Sequence, residues 1–81
     1  MGRTTKRLPG AMEFGKRVRA RRTELGMSQM ALAEATGMHF THVSSVERGE
    51  RNVGLENILR LAEGLGVDPG ALVGGLMAER S

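Results

Sequence analysis

Apolar residues in this chain return every three or four positions, in short bursts closed by glycine. That is the helical period, and no stretch alternates with the period of two that a strand requires. From about Met12 to Leu25, one face collects Phe14, Val18, Arg22 and Leu25, and Gly26 ends the run. Ser28 then offers a hydroxyl N-cap to a helix reaching Thr36, with Leu32 and Ala33 turned inward and Gly37 as its stop. Met38 plugs the corner. The next helix runs from about His39 to Arg48, and its only aliphatic residues are Val43 and Val46. So narrow a stripe buries one edge and leaves His39, Phe40, Thr41, His42, Ser44 and Ser45 mostly outside. After a polar loop, Leu55, Ile58, Leu59, Ala62 and Leu65 predict a helix with a wide apolar face, closed by Gly66. Asp68-Pro69 opens a short last helix carrying Ala71, Leu72 and Val73. The expected fold is all-α, a compact bundle of about five helices.

An 81-residue chain with no cysteine, no tryptophan and two phenylalanines must build a small aliphatic core, with methionines as filler. It has neither a disulfide framework nor a thiolate metal site. No apolar run approaches the ~20 residues of a membrane span, and no signal-like segment opens the chain. The expectation is a cytoplasmic protein without membrane contact. Three regions follow: a flexible basic arm over 1–11, a folded domain over 12–73, and a short tail over 74–81.

Charge changes the picture more than composition does. Residues 1–22 carry eight basic side chains against Glu13 alone, a net +7, whereas 23–81 carry four basic and eight acidic ones, a net −4, leaving +3 for the whole chain. Such segregation favours a polyanion on one side of the molecule. Inside the folded part, Arg22 interrupts an apolar stripe, and a charge there needs a partner.

Other chemistry finds little support. His39 and His42 could present two imidazoles to a metal, but there is no third ligand in view. Catalytic residues are not expected, because the serines lack a paired base and the carboxylates are spread over helix faces beside arginines. There is no phosphate-binding glycine loop, so no cofactor is expected.

Two motifs carry a resemblance. Ser28 to Gly37 reads S-Q-x-x-L-A-x-x-x-G, and Val43 to Gly49 reads V-S-x-V-E-R-G. In that order and spacing they resemble the lambda-repressor-like (Cro/C1, or XRE) helix-turn-helix family, over roughly Phe14 to Val73. The resemblance implies a transcriptional regulator that binds double-stranded DNA through a helix in the major groove, as a homodimer on an inverted-repeat operator. It places base reading on His39, Phe40, Thr41, Ser44 and Ser45. It matches Gln29 to a backbone contact; Arg48, Arg51 and Asn52, by their place at the helix's end and in the loop, are further backbone candidates, with His42 and Arg17 beside them. It also implies an Arg22–Glu47 ion pair that fixes an interhelical angle. No Arg, Asn or Gln stands at the base-reading positions, so discrimination would rest on hydroxyls and on Phe40 against a thymine methyl. Where family members often have R-N-P-S, this chain has R-N-V-G, losing a stiff proline and a good N-cap at Val53 and Gly54. The apolar end, with Leu72, Val73, Leu76 and Met77, is the expected dimer contact. The rival reading is an antitoxin-like module on the same fold, which would use that end to engage a protein partner.

Overall fold

The computed structural model describes residues 8–77, which form five helices in chain order. These are α1 (Pro9–Glu24), α2 (Gln29–Thr36), α3 (Phe40–Glu47), α4 (Leu55–Leu65) and α5 (Pro69–Val73). There is no strand among the described residues. α1 packs on α3, α4 and α5, while α2 packs on α3 and α4, so the two-helix unit α2–α3 leans on a scaffold of α1 and α4.

Local chemistry sets each boundary. α1 begins at Pro9 rather than Met12, because proline at the first helical position has its φ preset and no amide to leave unpaired. The rest of the expected arm and the end of the tail lie outside the described residues. Ser28 caps α2, its hydroxyl accepting from the Ala31 amide at 2.9 Å. Gly37 ends α2 in the left-handed region at φ 74°, where a Cβ would be strained. The Thr36 hydroxyl donates to the Leu32 carbonyl and accepts from the Met38 amide, so the corner between α2 and α3 is tied from inside. Asp68 caps α5 by accepting from the Gly70 amide at 2.8 Å.

The core joins all five helices: Phe14 and Val18 from α1, Leu32 and Ala33 from α2, Val43 and Val46 from α3, Leu61, Ala62 and Leu65 from α4, and Leu72 from α5. Burying a valine or leucine side chain contributes about 1.5–3 kcal/mol, so α3 is held by two such anchors and little else apolar. Two helices sit closer than ordinary side chains allow. A Cβ on Gly15 would run into the Val46 and Glu47 carbonyl oxygens, the latter at 2.8 Å, so the glycine lets α1 lie directly on the end of α3.

Two faces turn differently from the sequence expectation. Leu25 is the C-cap of α1 and is exposed, not part of its inner stripe. On α4, Leu61 takes a core position, while Leu55 is 71% exposed and Leu59 is exposed as well. The apolar arc of α4 is wider than the surface α1, α2 and α5 can cover, and the helix settles with the Leu61–Leu65 side inward.

Candidate nucleic-acid interface

With Val43 and Val46 fully buried, helical geometry fixes what α3 shows to solvent. His39, its N-cap residue, Phe40 and Thr41 are exposed at its N-terminal end. The Thr41 hydroxyl lies 3.3 Å from His39 Nδ1. Ser44 follows one turn on, its hydroxyl accepting from Arg48 at 2.6 Å. Arg48 also pairs with Glu50 at 3.1 Å. These four residues, His39, Phe40, Thr41 and Ser44, form one polar, small-featured flank with a single aromatic ring on it.

Ser45 does not share that flank. It is only 8% exposed, donates to the His42 carbonyl, and accepts from Arg51 Nε at 2.7 Å. Ser45 lies as far round the helix from the valines as Ser44 does, but Arg51 folds back over it. The expectation of a base-reading Ser45 is corrected to a residue that holds Arg51. His42 stands beside Arg51, and burial first, then the Arg51 charge, lowers its pKa from the ordinary 6.5. Asn52 is exposed in the same loop.

Behind α3 lies a charged hub. Arg22 on α1 donates to both Glu47 oxygens, at 2.6 and 3.0 Å, and to the Met27 carbonyl at 2.8 Å. The Gln29 amide donates to the same carboxylate at 2.9 Å. The two charged side chains are 11% and 3% exposed. Hydrogen bonding to Glu47 raises the Arg22 pKa against the opposing cost of burial. The hub ties α1, the start of α2 and the end of α3 at one point, and gives Gln29 an intramolecular role that the sequence did not suggest. No buried side-chain polar atom among the described residues lacks a partner.

Arg17 is the clearest departure. Its guanidinium donates to the Gly74 and Leu72 carbonyls, at 2.8 and 3.3 Å, and pairs with Glu13. It closes the C-terminal end of α5, where helix carbonyls run out of amides, and it does not point toward α3. Arg21 does the same for α4 through the Leu65 carbonyl at 3.0 Å. Part of the basic character of α1 is thus spent on helix ends.

Leu72, expected in a dimer contact, is 2% exposed and belongs to the core. Val73 and Leu76 are half-buried and border a groove of about 310 Å3, with Phe14, Val53 and Ile58 on its other side. Met77, also on that groove, is 72% exposed. Of the residues expected on the apolar face of α4, Leu55 and Leu59 are also exposed.

A capped helix, a glycine corner and a thinly anchored second helix with a polar outer flank define a helix-turn-helix domain of the lambda-repressor-like class. A helix-turn-helix family model matches residues 18–72, and the chain belongs to that family. It is similar to the control protein C.BamHI of Bacillus amyloliquefaciens, at 46% identity over 57 residues, 69% of this chain and 70% of that protein. Among solved structures it is similar to the restriction-modification controller protein C.AhdI from Aeromonas hydrophila, at 47% identity and a TM-score of 0.75 over 76% of this chain and 94% of that one. It also resembles the P22 c2 repressor protein crystallised with a synthetic operator, at 37% identity and a TM-score of 0.71 over 76% and 94% of the two chains. Among the described residues, no helix is long and apolar enough to cross a membrane.

Proposed function

We propose that this chain is a sequence-specific DNA-binding transcriptional regulator that lays α3 in the major groove and works as a homodimer on an inverted repeat. The observation that supports this most is the outer flank of α3. Two buried valines hold it rigid, and His39, Phe40, Thr41 and Ser44 face outward at the end of the helix from which base edges are reached. Arg48, Arg51 and Asn52 stand at the other end to hold phosphates, His42 does so beside Arg51, and Gln29 from the start of α2. The likeness to control proteins and to a repressor solved on its operator points the same way.

A second copy covers the exposed Leu55, Leu59 and Met77. It sets two reading helices about 34 Å apart, one turn of the duplex, and the operator mirrors the two-fold axis. Regulation then acts by occupancy, excluding or recruiting polymerase. Selection of bound fragments from random DNA tests this reading. Convergence on an inverted repeat with half-sites about one turn apart supports it. Fragments with no common sequence, together with a protein partner that co-purifies, would favour an antitoxin-like module instead.

A further inference from the structure

Between α3, the α3–α4 loop and the first turn of α4 lies an open polar pocket of about 530 Å3. His42 and Ser45 line it from α3, Arg51 and Asn52 from the loop, and Asn57 from α4. Arg51 is pinned there by its bond to Ser45. The N-cap of α4 is Gly54, which has no side chain to satisfy the first-turn amides. The charged groups in the pocket are Glu50 and Arg51, both from the loop, and α4 adds only the uncharged Gly54 and Asn57. Glu50 is engaged by Arg48.

His42 therefore faces a fixed cation in a partly dry setting, and both press its imidazole toward the neutral form. A phosphodiester would reverse that balance. It brings a negative charge beside the ring and an acceptor for the second ring N–H, which only the protonated imidazole has. Given DNA binding as proposed above, we infer that this pocket is a proton-coupled seat for a backbone phosphate. His42 takes a proton from solvent as the phosphate settles between it, Arg51 and Asn52, so DNA affinity rises as pH falls. One proton is bound per protomer, and no covalent bond changes. By linkage, each unit between the bound and free pKa is worth about tenfold in affinity per protomer.

The test uses a mixed-sequence DNA duplex at low, fixed ionic strength, since phosphates are the same in every sequence. Affinity is measured from about pH 8 to about pH 5.5, spanning the ordinary histidine range. Calorimetry in two buffers of different ionisation enthalpy counts protons, and NMR follows the His42 ring with and without duplex. Affinity should rise about tenfold per protomer, with proton uptake and a His42 midpoint higher in the complex than in the free protein. H42Q, polar but unable to titrate, should lose the rise, while H39Q should keep it whatever happens to its affinity. A flat pH profile, a rise kept in full by H42Q, or an unmoved His42 midpoint would overturn the inference and leave DNA binding standing. No binding of the duplex at any pH would remove the DNA-binding reading and this inference with it.

Discussion

Arg22 and Glu47, twenty-five residues apart in the chain, meet through two parallel hydrogen bonds of 2.6 and 3.0 Å behind the outward-facing helix. Both side chains are nearly dry, and Gln29 adds a third bond to the same carboxylate. The pair sets the angle at which α3 leaves the scaffold, since it ties the end of that helix to α1. Its net contribution to stability need not be large, because desolvating two charges offsets much of their attraction.

Removing one partner is another matter. Glu47→Ala strands the Arg22 charge and the Gln29 amide, and should destabilise the fold by about 3 kcal/mol. Glu47→Gln, which still offers a carbonyl oxygen, should lose less. Urea unfolding of the two variants checks this, and a Glu47→Ala midpoint equal to the parent's would show that the pair does not hold the fold.

The outer flank and the loop should separate in DNA binding. Thr41→Ala and Phe40→Ala should change the ranking of operator variants, because in the proposed complex those side chains face base edges. Arg51→Ala should weaken every sequence alike and reduce the salt slope by about one. Ser45→Ala should resemble Arg51→Ala in milder form, since Ser45 acts by holding Arg51. Gel-shift titrations over a small operator panel distinguish the two behaviours. Loss of preference in Ser45→Ala with an unchanged salt slope would return that residue to the reading face.

Close approach of α1 and α3 makes Gly15 irreplaceable despite its helical setting. Alanine is ordinarily the better helix former by about 1 kcal/mol. Here its methyl would meet two carbonyl oxygens of α3, and overpacking of that kind costs about 1–3 kcal/mol. Gly15→Ala should therefore lower the melting temperature. Gly54→Ser makes the contrast: a Cβ there meets nothing, and the hydroxyl should cap α4 for a gain of a few tenths of a kcal/mol. Thermal melts of both variants should move in opposite directions.

Leu55 protrudes from α4 and is 71% exposed among the described residues, so a charge there should spare the fold and harm assembly. Leu55→Glu should leave the folding stability of dilute protein within about 0.5 kcal/mol of the parent's, as surface substitutions do. In sedimentation it should move the protein toward monomer. A Leu55→Glu protein that still dimerises fully would place the two-fold contact elsewhere.

Stability should fall with acid through the same imidazole. The folded pKa of His42 lies below its unfolded value of 6.5, so the unfolded chain binds more protons between the two. The stabilisation of the neutral form is complete above that unfolded value and is lost as pH falls through the folded one. Urea midpoints measured downward from neutral pH should decline, and His42→Gln should show less of that decline.

Much of this was legible from spacing. Ser28, Gly37, Gly66 and Asp68-Pro69 mark helix ends by local chemistry alone, and each acts as its residue type predicts. Arg22 was legible as a charge needing a partner because it interrupts an apolar stripe. Non-local packing was not. Nothing near Ser45 announces that a loop arginine six residues on will fold over it. Arg17 and Arg21 look like any basic helix face, yet they sit opposite the open ends of α5 and α4, a match only the tertiary arrangement creates. Leu55, Leu59 and Leu61 all lie on the broad apolar arc of α4, and which of them is buried depends on how little surface a small bundle has to offer.

The central claim is that the outer flank of α3 enters the major groove, and groove-resolved methylation protection tests it most directly. Guanine N7 opens on the major groove and adenine N3 on the minor groove. On a selected duplex, bound protein should protect N7 in two patches about one helical turn apart, leaving the N3 positions beneath them reactive. Protection confined to N3, or N7 reactivity unchanged at saturating protein, would contradict it.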